Sequence, residues 1–233
     1  MPIKTRSSSL KAAIYEQIAR LGQAMASASR LELLDLLSQG PRTVEALAHQ
    51  TGQSVATTSH HLQVLRRARL VEAQKVGLYV TYRLADPQVG EFFLSLRRLA
   101  ESRLAEVQLV TRQYLEQRGA LEPVDDDELV RRVRGGKVTL IDVRPREEYL
   151  AAHIPGAISV PLADLGKRVG ELQKRRDIVA YCRGPYCVMA LDAVDLLSRK
   201  GFRAYRLELG VPEWRSHGWR VDTGGDRQPG GRP

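Results

Sequence analysis

The spacing of apolar residues changes between residues 119 and 127, and this change constrains the fold more than any other feature of the sequence. Before it, apolar residues recur mainly at the three- and four-residue spacing of helices. After it, short apolar runs typical of buried strands alternate with helical segments. The length of 233 residues suffices for two separate cores. The sequence therefore predicts domains at residues 1–118 and 124–222, a linker at 119–123 and a disordered tail at 223–233.

The first half contains the pattern of a helix-turn-helix followed by a hairpin. Thr43 and Ser54 precede two short apolar-periodic segments as expected N-caps, and Gly52 provides the tight turn between them. Two alternating runs separated at Gly77 predict a two-stranded wing. The helices are expected at residues 10–25, 29–38, 44–49 and 55–68, the strands at 70–76 and 78–84, and one long helix from Asp86-Pro87 to about residue 118.

The second half alternates strand and helix patterns, which predicts an α/β domain with a largely parallel sheet. The expected strands are residues 138–143, 158–160, 178–181 and 204–207. The expected helices are residues 127–134, 147–152, 162–172 and 188–200.

Composition limits the function classes. No apolar run reaches the roughly 20 residues of a membrane-spanning helix, and the polar N-terminus lacks a secretory pattern, so we expect a cytoplasmic protein and no membrane partner. The net charge is +9, and residues 1–118 carry 16 Lys and Arg against 10 Asp and Glu. This excess favours a polyanionic partner for the first half. Two cysteines spaced by five residues indicate reactive or metal chemistry rather than a disulfide framework.

The segment TTSHHLQVL at residues 57–65 resembles the recognition helix of the ArsR family of winged-helix repressors, and Leu70-Val71 and Tyr82-Arg83-Leu84 match the segments that flank the wing. The resemblance covers about residues 10–115. It implies a mainly α winged helix-turn-helix domain that binds a double-stranded DNA operator.

A recognition helix needs one polar face for DNA and one apolar face for its own domain. Val55, Leu62 and Leu65 are predicted to face inward. The residues expected to contact DNA bases or phosphates are Ser54, Thr57, Ser59, His60, Gln63, Arg66, Arg67, Lys75 and Arg83. The family pattern implies a partly packed, structural role for His61.

Many ArsR regulators sense metals through a cysteine pair near the recognition helix or through acidic and histidine residues on the last helix. This chain has no cysteine before Cys182 and no histidine between His61 and His153. We therefore expect no metal and no cofactor, and an effector sensed by the second half.

The long helix carries an apolar stripe that is broad for a free surface helix, which predicts a homodimer. The stripe comprises Val89, Phe93, Leu96, Leu99, Ala100, Leu104, Val107, Leu109, Val110 and Leu115.

Three segments in order resemble the rhodanese family over about residues 122–221. They are LIDVR at 140–144 with EEY and HIPGAI after it, YCRGPYC at 181–187, and Leu209-Gly210 followed by Trp214. The resemblance implies that Arg144 and His153 are mainly structural and that Asp142 supports the active-site loop.

Cys182 follows a strand and precedes a helix, so backbone N–H groups at the helix start are expected to stabilise an anion there. We predict a lowered pKa for Cys182 and a role as nucleophile and sulfur carrier. Arg183 is expected to add positive potential. Gly184, Pro185, Tyr186 and Val188 complete the predicted donor-binding loop.

Cys187 stands at the sixth loop position, where rhodaneses commonly have a cation that grips an anionic donor. A second thiol there predicts weak thiosulfate turnover. It also predicts attack on a Cys182 persulfide to form a disulfide or a longer sulfur bridge.

Three functions remain open from the sequence. The first is a repressor that senses reactive sulfur through Cys182 and Cys187, with thiosulfate, polysulfide or a persulfide as the small donor. The second is a sulfurtransferase whose DNA-binding half regulates its own gene. The third is a soft-metal or arsenite sensor using the two thiols, for which no third ligand is evident.

Overall fold

The structure is a computed structural model that describes residues 6–77, 79–117 and 126–225. The chain divides into two compact units, and the division falls between Phe93 and Leu94. The linker predicted at 119–123, Leu78 of the predicted wing and residues 226–233 of the tail predicted at 223–233 lie outside the described residues. The first three tail residues are described, and the Gly224 N–H donates to the Leu150 carbonyl at 2.8 Å.

Within the described residues, the first unit contains four helices, a three-stranded antiparallel sheet of order β1-β3-β2 and the start of a fifth helix. The helices and strands are α1 (Arg6–Met25), α2 (Ala28–Ser38), β1 (Arg42–Thr43), α3 (Val44–Thr51), α4 (Val55–Arg67), β2 (Val71–Val76), β3 (Tyr79–Leu84) and α5 (Pro87–Arg103).

Local capping explains where the central helices begin and end. The Thr43 hydroxyl accepts the Ala46 N–H, and the Ser54 hydroxyl accepts the Thr57 N–H. Gly52 adopts a left-handed conformation with φ 65°, which glycine reaches without strain. The predicted helix-turn-helix and wing are confirmed.

Three details differ from the sequence predictions. Strand β1 was not predicted, because it has only two residues and depends on pairing with β3. Val55 is 47% exposed rather than inward-facing, because it begins α4 and the buried face of that helix is formed by Thr58, Leu62 and Leu65. The predicted long helix is interrupted at Leu104, after which α6 spans Ala105–Gln117. Helix α6 has no buried residue, so core packing does not hold the two segments in line.

The second unit contains a four-stranded parallel sheet of order β5-β4-β6-β7, as predicted. Its elements after α6 are α7 (Asp126–Arg134), β4 (Thr139–Asp142), α8 (Arg146–Ala151), β5 (Ile158–Ser159), α9 (Leu162–Arg168), a 3-10 turn (Val169–Glu171), β6 (Ile178–Tyr181), α10 (Met189–Arg199), β7 (Ala204–Leu207) and α11 (Val211–Ser216). Helix α11 was not predicted.

Successive residues of a strand point to opposite faces of the sheet, and this alternation builds two cores. Leu140, Val179 and Tyr181 join the core on one face, which also contains Trp214. Ile141, Ala180 and Cys182 join the core on the other face, against α10. Cys182 is therefore directed toward the face of the sheet that α10 covers.

None of the helices within the described residues is both long and apolar enough to span a membrane.

Candidate thiol site and DNA-binding surface

The candidate thiol site lies at the carboxyl edge of the parallel sheet, where β6 ends at Tyr181. Residues 182–188 form the loop between β6 and α10, which begins at Met189. Both cysteines are free thiols. Cys182 is 1% exposed, whereas Cys187 is half-buried, so the two thiols share one loop but meet solvent to different extents. The Cys182 Sγ also lies 3.3 Å from the Cys187 carbonyl oxygen, to which it donates.

The two thiols differ in acidity. Burial raises the pKa of Cys182 well above its ordinary value, and the neighbouring Cys187 raises it further. The pKa of Cys187 is lowered from 9.0 to about 6, first because the Cys182 thiol hydrogen-bonds to it, and then by the backbone N–H groups of Arg183 and Met189. The prediction of a lowered pKa for Cys182 is therefore wrong for the reduced pair. The backbone groups of Gly184 and Ala190 do favour a Cys182 anion, but burial outweighs them.

Arg183 is held by a carboxylate outside the loop. Its Nε lies 3.1 Å from both oxygens of Glu148 and its Nη2 lies 2.6 Å from Oε1. Glu148, on α8, is 1% exposed. The pair fixes the start of the loop, while the Arg183 charge still contributes to the lowered pKa of Cys187. The sequence did not identify Glu148, because nothing local links it to a residue 35 positions later.

A buried polar network supports the strand beneath the loop. The Arg144 guanidinium lies 2.5 Å from Asp142 and donates to the Ala152 carbonyl at 2.8 Å. The Tyr181 hydroxyl donates to Asp142 at 2.6 Å. Because Tyr181 immediately precedes Cys182, this network fixes the position from which the loop departs, as predicted for Asp142 and Arg144.

His153 also has a structural environment. Its ring stacks on Tyr149 with centroids 3.8 Å apart, and its Nδ1 lies 2.9 Å from the Tyr149 carbonyl oxygen. Its backbone pairs with Asp222. These contacts agree with the structural role that the sequence predicted for His153.

The middle of the loop is shaped by glycine and by a distant arginine. Gly184 has φ 134°, a conformation that side chains disfavour. The Pro185 carbonyl accepts a hydrogen bond from Arg206 of β7 at 2.5 Å. Tyr186 is 49% exposed and Val188 is half-buried at the start of α10. Arg206 is thus a loop-holding cation that the sequence analysis missed.

The segment after β7 also contacts the loop. A Cβ atom on Gly210 would lie 2.7 Å from the Arg183 backbone, so only glycine permits this approach. The Gly210 N–H donates to Glu213 of α11 at 2.8 Å. Glu213 is a second functional candidate that the sequence did not reveal, since its neighbours come from distant parts of the chain.

The predicted DNA-contacting residues lie on the surface of the first unit. Every one of them is exposed except Ser59, which is half-buried; the set is Ser54, Thr57, Ser59, His60, Gln63, Arg66, Arg67, Lys75 and Arg83. Leu62 and Leu65 are fully buried on the opposite face of α4. The helix therefore has the two faces that groove binding requires.

Two of these positions have neighbours that modify their roles. Arg83 in the wing forms an ion pair with Glu72 of the neighbouring strand at 2.8 Å. The Ser54 hydroxyl, which caps α4, lies 2.9 Å from the Thr57 hydroxyl. His61 is half-buried, and burial lowers its pKa, with the Arg30 and His60 charges contributing. This environment agrees with a packed, structural His61.

Within residues 6–77, 79–117 and 126–225, no group of three or more His, Cys, Asp or Glu side chains could hold a metal ion. Among the described residues, the two loop thiols therefore have no third His, Cys, Asp or Glu side chain with which to form a soft-metal site.

Comparison with known proteins finds a different family in each half of the chain. The sequence pattern of the rhodanese-like domain matches residues 125–217, and that of the arsR family of bacterial regulatory proteins matches residues 27–73. The HTH-type transcriptional regulator Rv0324 of Mycobacterium tuberculosis is 47% identical over 215 residues, which cover 92% of this chain and 94% of that protein.

Two further relatives each match one half. A sulfurtransferase of Allochromatium vinosum is 31% identical over 97 residues, which are 41% of this chain and 89% of that protein. The solved homodimeric winged helix-turn-helix DNA-binding domain of Mb0332 from Mycobacterium bovis is 40% identical and covers 45% of this chain and 93% of that domain, with a TM-score of 0.40.

Proposed function

The chain belongs to the ArsR family of transcriptional regulators and carries a rhodanese-like domain, and we propose that its binding to operator DNA responds to reactive sulfur at Cys182 and Cys187. The observation that carries the proposal is the thiol pair itself. One thiol is buried with a raised pKa, and the other is half-buried with a pKa near 6, so the reduced pair holds one proton and one negative charge at neutral pH.

For DNA binding, we propose that α4 enters the major groove with Thr57, Ser59, His60 and Gln63 toward base edges. The exposed cations Arg66, Arg67, Lys75 and Arg83 contact phosphates, which supply most of the sequence-independent affinity. Operator DNA lies on the chromosome. We therefore propose that the protein acts in the cytoplasm.

The first chemical step loads sulfur on Cys182. Cys187, as thiolate, takes the proton of the Cys182 thiol while Cys182 Sγ attacks a sulfane sulfur of a polysulfide. One S–S bond of the polysulfide breaks and one S–S bond forms, leaving a Cys182 persulfide and a polysulfide shortened by one sulfur atom. The Gly184 and Ala190 backbone groups that favour an anion at Cys182 support the charge on the persulfide.

The second step closes a bridge. Cys187 Sγ attacks Cys182 Sγ, the bond between Cys182 Sγ and the terminal sulfur breaks, and the terminal sulfur leaves as hydrosulfide with the proton that Cys187 received in the first step. The products are a Cys182–Cys187 disulfide and one hydrosulfide ion. Two thiols have been oxidised, and the sulfane sulfur has been reduced by two electrons, so the step needs no other oxidant.

We also propose that the regulator acts as a homodimer. Helix α1 exposes Leu10, Ile14, Ile18 and Leu21 at helical spacing, and these side chains form one apolar stripe. Leu99 of α5, Leu109 and Val110 of α6, and Leu104 between the two helices are exposed as well. Covering such residues with a second copy removes apolar surface from water at about 25 cal/mol per Å².

A second candidate function is sulfur transfer, because the rhodanese-like match includes a relative named as a sulfurtransferase. The cysteine at the sixth loop position disfavours efficient turnover of thiosulfate, since no cation stands there to hold the dianion. Steady transfer of sulfur from thiosulfate to cyanide by the reduced protein, at a rate well above background, would favour the enzyme.

The regulator hypothesis is tested with a DNA duplex selected from a random library by the reduced protein. The Kd for this duplex is measured before and after treatment with sodium tetrasulfide, in the wild type and in Cys182→Ser. We expect the wild-type Kd to change at least fivefold and that of Cys182→Ser to remain constant. An unchanged wild-type Kd after verified modification would contradict the proposal.

Modification is verified by mass spectrometry after trypsin digestion. Cleavage after Arg176, Arg183 and Arg199 separates the cysteines into the peptides 177–183 and 184–199. A bridged loop therefore appears as two joined peptides, and additional sulfur atoms appear as whole increments in mass. A stable persulfide appears on peptide 177–183 alone.

A further inference from the structure

The loop between the two cysteines is bound by the end of α5. The Tyr186 hydroxyl donates a hydrogen bond to Glu101 Oε1 at 2.6 Å. The Arg97 guanidinium lies over the Tyr186 ring, 5.7 Å from its centroid, and its Nε lies 3.4 Å from Glu101 Oε1. These residues belong to the second compact unit, which begins at Leu94. Tyr186 immediately precedes Cys187 and moves with it.

A second contact with α5 passes through Glu213. Arg97 Nη2 lies 2.5 Å from Glu213 Oε1, and the two side chains are 12% and 9% exposed. The other carboxylate oxygen accepts the Gly210 N–H. A Cβ atom on Gly184 would lie 3.2 Å from Glu213 Oε1, so the carboxylate rests directly against the loop. Glu213 thus contacts Arg97 on one side and the loop on the other.

Both contacts are sensitive to loop geometry. A charge pair removed from solvent is costly to separate, because each charge left alone has lost its water. A disulfide requires a fixed distance and dihedral angle between the two sulfur atoms, which are constraints the reduced loop does not have. A bridge between residues 182 and 187 would place these constraints on the segment that contains Gly184 and Tyr186, the two loop residues against Glu213 and Glu101.

Helix α5 also belongs to the DNA-binding unit. The helix is continuous over Pro87–Arg103, and its first turns lie before the division at Phe93. A Cβ atom on Gly90 would lie 3.2 Å from the side chain of Leu84, the last residue of wing strand β3. One helix therefore contacts the wing at Gly90 and the thiol loop at Arg97 and Glu101.

We propose that Arg97 and Glu101 transmit the sulfur state of the loop to the DNA-binding unit through α5. In the reduced protein, Tyr186 and Glu213 hold the end of α5. Bridging of the cysteines changes these contacts and thereby the helix that reaches the wing. This inference rests on the proposed function, because it names how that thiol site regulates DNA binding.

The test compares Glu101→Gln with Glu106→Gln in the full chain. Glu106 is an exposed residue of α6 and serves as the matched control. For each protein, the Kd for the selected duplex is measured reduced and after tetrasulfide, and the extent of loop modification is measured by mass spectrometry. We expect Glu106→Gln to keep the wild-type response, and Glu101→Gln to be modified equally while its Kd changes less than twofold.

Two outcomes separate failure of this inference from failure of the proposed function. If the wild type is modified but its Kd is unchanged, both are overturned. If the wild type responds and Glu101→Gln responds equally, only the coupling through α5 is overturned. Glu101→Gln removes the charge that faces Arg97 but keeps an oxygen that can accept from Tyr186, so Tyr186→Phe is used as a second variant that removes the hydrogen bond itself. The double variant combines Glu101→Gln and Tyr186→Phe. Its change in Kd after tetrasulfide, divided by the fraction of loops modified, should be no smaller than that of either single variant.

Hydrogen exchange provides a readout that a merely structural role would not move. Bridging should alter the exchange rates of the backbone amides at residues 94–103 in the wild type and in Glu106→Gln. In Glu101→Gln, the reduced and bridged forms should exchange alike. Equal rates in the two forms of the wild type would contradict the inference.

Discussion

Arg183 and Glu148 form a two-pronged ion pair that ties the first loop residue after Cys182 to α8, with distances of 2.6 to 3.1 Å. The Glu148 side chain is 1% exposed, so its charge is stabilised by protein groups, Arg183 among them, rather than by water. Loss of one member of a buried pair costs far more than loss of a surface pair. The ion pair therefore fixes the start of the thiol loop to α8 and contributes to the stability of the second unit.

Replacing Glu148 with alanine should lower the free energy of unfolding of the second unit by about 3 kcal/mol, because it removes one member of a largely buried ion pair. Both tryptophans, Trp214 and Trp219, lie in this unit, so urea unfolding followed by tryptophan fluorescence measures it. The control Glu171→Ala removes an exposed pair with Arg168 and should cost less than about 1 kcal/mol. If the two variants lost equal amounts of unfolding free energy, the Arg183–Glu148 pair would not anchor the loop.

Alkylation of Cys187 by iodoacetamide should rise with pH around a midpoint of about 6, instead of the ordinary 9.0. The thiolate is the reactive form, so the rate is low below pH 6, where Cys187 is protonated, and reaches a plateau above pH 7. In Cys182→Ala the midpoint should move upward, because the hydrogen bond from Cys182 is the largest cause of the lowered pKa. A midpoint that stays near 6 in this variant would assign the lowered pKa to the backbone.

Replacing Cys187 with arginine should increase the transfer of sulfur from thiosulfate to cyanide by about tenfold or more, because a cation at the sixth position would hold the dianionic donor. Cys187→Ser removes the same thiol without adding charge, and its rate should stay well below that of the arginine variant. Steady-state production of thiocyanate measures both. Equal rates in the arginine and serine variants would show that this position does not limit transfer.

Replacing Arg67 or Lys75 with glutamine should make the salt dependence of operator binding shallower. Each lost phosphate contact reduces the slope of log K against log salt by about 0.9. Lys137→Gln removes an exposed cation from the second unit and should leave the slope unchanged. Titrations of the selected duplex at several salt concentrations give the slopes, and a similar loss for all three variants would argue against specific phosphate contacts.

Replacing Ile14 with aspartate should weaken the homodimer at least tenfold, because the charge would lie in the apolar stripe of α1. Ala12→Asp adds the same charge on the opposite side of the helix and should leave the dimer intact. Sedimentation equilibrium of the reduced proteins measures the dissociation constants. A dimer unaffected by Ile14→Asp would place the interface elsewhere.

Short-range patterns made the fold predictable from the sequence. Helix caps at Thr43 and Ser54 and the strands of the second half depend on residues within a few positions of one another, and they lie where the sequence predicted. The thiol loop was predictable because its residues lie between an apolar strand pattern and a helix pattern, now β6 and α10. The sequence thus determined two kinds of domain, the helix-turn-helix and the pair of cysteines.

The tertiary structure decided which thiol is ionised and what holds the loop. Burial by the sheet and α10 raises the pKa of Cys182 above that of Cys187, which reversed the prediction from loop position alone. Arg183 meets Glu148 across 35 residues, and Arg97 meets Glu213 across 116 residues. Acidity and ion pairing depend on solvent exclusion and on through-space distance, and both arise only when distant segments pack together.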